Sequence, residues 1–215
     1  MASTSAVRVG WLEDPDLVSV FGLDAYSPIG GAATAAEVFL LRPGGPYALQ
    51  LRGSLPPGCV RAFCGRLAGW AAKAGFGRVV AVAGVDSRRR GDSHLRAGGD
   101  SWGYYRPTLG KDESDSDPAL ESLGWKRLPP AILGDKPLAI SRAPLGALLC
   151  SLLAEGVGDI AAACLWASEG AGQAEGVLAA DRLEALLGLG IAPRAGPGGG
   201  HQWTVPPSWA ALAAS

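Results

Sequence analysis

Side chains able to do chemistry are few in this chain, and they lie far apart. Its only histidines are His94 and His201, and its four cysteines, Cys59, Cys64, Cys150 and Cys164, show no Cys-x-x-Cys spacing. Two distant histidines and scattered thiols do not supply the tetrahedral donor set of a zinc site. A nucleophile and base could in principle be drawn from His94 with Cys59, Cys64 or Ser87, yet a loop histidine close to Arg96 reads more simply as a solvated surface group. Ser168 follows Trp166-Ala167 and lacks the first glycine of a Gly-x-Ser-x-Gly elbow, and Gly99-Asp-Ser-Trp-Gly103, which has that spacing, does not open a helix as an elbow must. Neither Gly-x-Gly-x-x-Gly nor Gly-x-x-x-x-Gly-Lys-Ser/Thr occurs, and Gly198-Gly-Gly200 leads into no helix, so backbone amides for a phosphate cradle are missing. The sequence assigns no catalytic, cofactor-binding or metal-binding residue.

What remains points to recognition. Arg88-Arg89-Arg90 is the one concentrated charge; it reads as a solvated loop or, functionally, as a contact for an anion or an acidic partner, since the guanidinium fork grips carboxylates in bidentate fashion. Without interleaved aromatic platforms, three arginines are too few for nucleic acid. Of the seven tryptophans, Trp70 and Trp166 fall in core patterns, whereas Trp203 and Trp209 flank a proline pair, where an aromatic anchor packs back on the domain or docks on a partner. Arg88, Arg89, Arg90, Trp203 and Trp209 are the candidate partner-binding residues.

The elements that must position these residues follow from spacing. Tyr47-Ala-Leu-Gln-Leu-Arg52 reads as a strand, and Val60, Phe63, Cys64, Leu67, Trp70, Ala71 and Ala74 make one helical stripe opposite Arg61, Arg66 and Lys73. Pro56 and Pro57 stand at its start and Gly75 at its end. With Arg78-Val-Val-Ala-Val-Ala83 as the next strand, the expectation is a strand, crossover helix and parallel strand, opening at its carboxyl end onto the loop Asp86 to Ser93. Val7 to Leu12 and Glu37 to Arg42 read as further strands, the latter joined to Tyr47–Arg52 as a hairpin by Pro43-Gly-Gly-Pro46; Leu23 to Ala36 reads as loop. A loop-rich stretch spans 86–136, broken only by Ser101-Trp-Gly-Tyr-Tyr105 and Leu123-Gly-Trp-Lys-Arg-Leu128, and within it Lys111 to Asp117 is expected to be disordered because acidic residues and serines bury nothing. Beyond it come a short strand at Leu138 to Ile140, a helix from Pro144 to Gly156, the continuous apolar run Ile160 to Ala167 that suits a central strand, a helix from Ala174 to Leu187, and a Pro/Gly-rich tail from Pro193.

At 215 residues the expectation is one α/β domain over 1–215, a mostly parallel sheet with helices on both faces and one antiparallel hairpin. A net charge of −1 offers no basic field for nucleic acid or anionic membrane. The cysteines read as buried free thiols. The amino terminus has no apolar signal core, and the longest apolar run is too short to span a bilayer, so the chain reads as soluble and intracellular.

Several segments, in order along most of the chain, resemble the proteasome assembly chaperone 2 family. They are Ala48-Leu-Gln-Leu-Arg52; Phe63-Cys64 through Leu67 to Trp70; Arg78-Val-Val80 through Arg90-Gly-Asp92 to Leu95-Arg96; Ser168-Glu-Gly170; and Trp203-Thr-Val-Pro-Pro-Ser-Trp209. The resemblance implies a sandwich with the topology of nucleoside phosphorylases but without their activity and without a cofactor. It implies a cytoplasmic and nuclear protein that pairs with assembly chaperone 1, gathers proteasome α subunits into a ring and prevents premature or aberrant ring dimerisation. Members of that family begin with a further strand-helix unit before the strand matching Val7–Leu12, so the expectation is a sheet missing its first element or a shortened gene model. The family's glycine-rich turn corresponds to Ser141-Arg-Ala-Pro144, and the hydrophobic-Tyr-x tail of some relatives is replaced by Leu212-Ala-Ala-Ser215, which implies no tail insertion. The rival readings are another protein-binding α/β module and an enzyme of the nucleoside phosphorylase class.

Overall fold

Residues 6–18, 22–23, 31–52, 55–86, 102–107, 116–128, 144–167 and 173–188 are described by the computed structural model. They fall into two compact units, one of residues Met1–Pro56 with Val177–Ser215, the other Pro57–Gly176.

In the first unit β1 (Val7–Trp11), β4 (Ala36–Leu40) and β5 (Tyr47–Leu51) form a three-stranded sheet in the order β1-β4-β5, antiparallel throughout. The expected hairpin is there, its turn closed by Gly45 N donating to Arg42 O at 2.9 Å and by Gly44 at φ 66°, where a Cβ would be strained. A register shift between Arg8 and Gly10 bulges β1. Two residue pairs, Gly22–Leu23 (β2) against Ala32–Ala33 (β3), form a short ladder where the sequence suggests only loop.

The second unit opens with α1 (Val60–Ala74), ended by Gly75 in the left-handed conformation at φ 71°. Phe63, Cys64, Leu67 and Ala71 are buried as the stripe predicts, together with Ala68. Trp70 is not: it is 37% exposed, at the stripe's margin, its ring 5.5 Å from that of Phe76. Strands β6 (Arg78–Asp86), β7 (Trp102–Tyr105), β8 (Lys126–Arg127) and β9 (Asp159–Ala167) assemble in the order β6-β9-β7-β8. β6 and β9 are parallel, β7 and β8 are parallel, and β7 and β9 run antiparallel. This is a mixed sheet rather than a mostly parallel one, and the hairpin belongs to the other sheet.

The crossover also differs from the sequence expectation. Tyr47–Leu51 pairs with β4, and the parallel partner of Arg78–Asp86 is β9, delivered by α3 (Pro144–Ala154). Spacing recognises the strands but carries no information on which distant strand each one meets. As an apolar run with no polar edge, β9 takes the central place: Ile160, Ala161, Ala162 and Ala163 are all buried. One face packs against α1 and α3 through Ala68, Ala71, Leu149 and Leu152.

Of the elements in the loop-rich stretch, β7 and β8 fall within the two segments that break it, Ser101–Tyr105 and Leu123–Leu128, whereas α2 (Pro118–Ser122) forms where the sequence suggests only loop. Asp117, placed by its sequence in an acidic disordered run, is 3% exposed and caps α2. Cys64 is a buried free thiol, but Cys150 is exposed, on the outer side of α3. The helix expected at Ala174–Leu187 is α4 (Gln173–Leu187). Residues 87–101, the Leu138–Ile140 strand and the tail from Pro193 lie outside the described residues.

Candidate functional site

Among the described residues charged side chains gather in two places, and in both they are paired within the fold. In the second unit Asp117 Oδ1 accepts from the backbone N of Ala119 and Leu120 at 3.1 and 3.2 Å, the expected work of an N-cap, while Arg78 Nη2 donates to its Oδ2 at 2.7 Å. The Asp117 backbone N donates to Tyr104 Oη at 3.0 Å, and that hydroxyl donates to Glu121 Oε1 at 2.6 Å. Burial first, and then the bond to Glu121, push the Tyr104 hydroxyl above its ordinary value, so it stays protonated. Asp159 accepts from Arg106 Nη2 at 2.9 Å and lies 3.5 Å from Arg78 Nε. Arg78 and Asp159 open the parallel strands β6 and β9, the end opposite to that where open sheets bind ligands.

In the first unit Glu37 is 1% exposed on the middle strand, between Arg8 on β1 and Arg52 just beyond β5. Arg8 Nη1 donates to Glu37 Oε1 at 2.7 Å, and Thr34 N approaches the same oxygen at 3.4 Å. Oε2 lies 2.9 Å from Arg52 Nη2, an ion-pair contact without the angle of a hydrogen bond. A lone acid in Ala36-Glu-Val-Phe-Leu40, with an arginine on each neighbouring segment, is the pattern by which the sequence could have disclosed this clamp. Beside it a cavity of about 640 Å3 is lined by Arg8, Trp11, Leu12, Leu17 and Thr34 among others.

Register sorts the side chains of this sheet. Val7 pairs with Leu40 and Leu40 with Tyr47; Val38 pairs with Leu49 and Ala36 with Leu51, so all of them share one face, while Glu37, Gln50 and Trp11 share the other. The first face is apolar and open at its margins, where Val7 is 58%, Tyr47 54% and Leu51 43% exposed, while Ala36 on the middle strand is fully buried. Such a face can bury against another protein and can do no proton or phosphate chemistry. Among the described residues no group of three or more His, Cys, Asp or Glu is placed to hold a metal ion, and no helix is long and apolar enough to cross a membrane.

Arg88, Arg89, Arg90, Trp203 and Trp209 all lie outside the described residues, so the fold neither places them nor brings them together. The carboxyl ends of β6 at Asp86 and β9 at Ala167 do lead directly into the segments that carry Arg88–Arg90 and Ser168-Glu-Gly170.

No protein-family model matches the chain, and no curated protein does. Solved structures do. The chain is similar to Pyrococcus furiosus PbaA, an archaeal homologue of proteasome-assembly chaperone, with TM-score 0.55 and 15% identity over 87% of this chain and 72% of that one. It is similar to a Thermoplasma acidophilum protein of unknown function with the same TM-score and 12% identity, over 87% of this chain and 67% of that one. The chain therefore has the mixed α/β fold seen in a proteasome-assembly chaperone homologue.

Proposed function

We propose that this chain is a non-enzymatic proteasome-assembly chaperone of the cytoplasm and nucleus, acting over its whole length, that pairs with assembly chaperone 1. In this reading the pair collects proteasome α subunits into the core-particle ring and keeps that ring from dimerising early or wrongly. The observation that carries the reading is the fold likeness to PbaA over 87% of the chain. Two features agree with it: an apolar sheet face open to a protein surface, and charged clusters already satisfied within the chain.

Pull-down of the tagged chain from cells tests the proposal. Assembly chaperone 1 and α subunits are the expected partners; recovering neither rejects it. Replacing Arg88, Arg89 and Arg90 by alanine is expected to weaken α-subunit capture more at low than at high salt, because exposed charges are screened beyond about 8–10 Å. An equal yield at every salt concentration removes only the arginine contact. Phosphorolysis of a purine nucleoside above a heat-killed control would overturn the non-enzymatic reading.

A further inference from the structure

The segment that follows α4 starts beside an apolar margin of the three-stranded sheet. Helix α4 stops at Gly188, which has a left-handed φ of 55°, and Arg42 Nη1 donates to Gly188 O at 2.6 Å. Arg42 opens the turn between β4 and β5, so the 27 residues beyond Gly188 set out next to Tyr47, the first residue of β5. They belong to the same compact unit as this sheet. Along β5, Tyr47, Leu49 and Leu51 line one face as an uncharged strip ~14 Å long at ~3.4 Å per residue, with Tyr47 and Leu51 exposed and Leu49 half-buried.

The sequence of that arm is matched to the strip. From Ala195 to Ser215 it contains no Asp, Glu, Lys or Arg, and it holds Trp203-Thr-Val-Pro-Pro-Ser-Trp209. A residue that precedes proline is kept out of the helical region, so Val205 and Pro206 favour extended or polyproline backbone. A polyproline helix has three residues per turn and rises ~3.1 Å per residue, which sets Trp203, Pro206 and Trp209 on one side over ~19 Å. We propose that this segment docks along the β5 strip of its own chain, with Pro206 over Leu49 and a tryptophan at each end, burying Tyr47 and Leu51. Rigid rings give up little side-chain freedom when they settle on hydrocarbon, and the Gly- and Pro-rich run from Leu189 to Gln202 is a tether long enough to reach either end. The inference does not rest on the proposed chaperone role; it gives this margin an occupant within the chain, which any partner using the margin has to displace.

Photocrosslinking of the full chain, with a benzophenone amino acid in place of Trp203 or Trp209, tests the proposal. The expected result is a link to β5 within one chain, at a yield independent of protein concentration. Chymotrypsin reads the same contact: cleavage after Trp203 is expected to speed up at least ~5-fold in Tyr47→Asp, which sets a charge against the arm, and less than ~2-fold in Val7→Asp, two strands away on the same face. A peptide of residues 201–215 added in trans is expected to bind the Trp203→Ala/Trp209→Ala chain at least ~10-fold more tightly than the unaltered chain, whose own arm holds the strip. The cross-link and the peptide need no substitution in the sheet, so they decide the case even where Tyr47→Asp unfolds. Links to a second copy, to another element or to nothing, cleavage that rises no more for Tyr47→Asp than for Val7→Asp, or a peptide that binds both chains equally would each overturn the proposal.

Discussion

The two larger sheets among the described residues are built from similar residues and buried in opposite ways. In the four-stranded sheet the centre is sealed: Ala161, Ala162 and Tyr104 are 0% exposed, and Leu149 and Leu152 lie packed beneath one face. In the three-stranded sheet the most deeply buried side chain of the middle strand after Ala36 is a charged one, Glu37, while valine, tyrosine and leucine on the opposite face remain open. An apolar residue is buried only where another element reaches it. The first sheet is therefore held at its middle by an ion-paired carboxylate, the second by close-packed hydrocarbon.

Breaking the packed sheet gives the largest expected effect. Leu152→Ala is expected to cost ~2–5 kcal/mol, read by denaturant unfolding and by loss of hydrogen-exchange protection in β9. A cost as small as that of an exposed leucine would erase the contrast. Asp117→Ala removes two capping bonds and the nearer of Arg78's two carboxylate partners, for an expected ~2–3 kcal/mol, with faster exchange at the Ala119 and Leu120 amides. Gly103→Ala sharpens the packing side further: a Cβ there would run into the nearly buried Leu128 side chain, for an expected ~1–3 kcal/mol in thermal unfolding.

The clamp can be separated from packing by comparing two variants. Glu37→Ala is expected to cost ~1–3 kcal/mol, because it leaves two arginines without their counter-charge, while Glu37→Leu is expected to recover most of that loss in thermal melts. Alkaline pH gives a smaller, graded effect. Burial raises the Cys64 thiol from near 9 to about 11, and Tyr104 is raised as well, so the unfolded chain gives up these protons first. Stability contributed by Cys64 is complete below about 9 and is lost as the pH climbs to about 11, and a Cys64→Ala variant should show a shallower alkaline decline. Smallest of all is Leu51→Ser on the open face, expected to stay within ~0.5 kcal/mol, since its side chain is already 43% exposed.

What could be read from the sequence follows the range of each interaction. The α1 stripe and its glycine stop were visible because both are local, and β9 was visible because a strand covered on both faces has no polar side. Trp70 misled because periodicity cannot say how wide the covering surface is. The helix at Pro118–Ser122 hid in a run of acids and serines, although Asp117-Pro118 is itself a cap followed by proline at the first helical position. The partner of β6 and the Arg8–Glu37–Arg52 clamp join residues distant in sequence, and no window of the chain contains them.

That distance matters while the chain is being made. The β4–β5 hairpin is complete within a few residues of its turn, but β6 must wait roughly eighty residues for β9, from Arg78 to Asp159. At ~5–20 residues per second the ribosome takes on the order of 4–16 s to supply that partner. Through that interval the edge of β6 that β9 will cover is unpaired, and a nascent chain stalled before Asp159 offers that side of a nine-residue strand to whatever it meets.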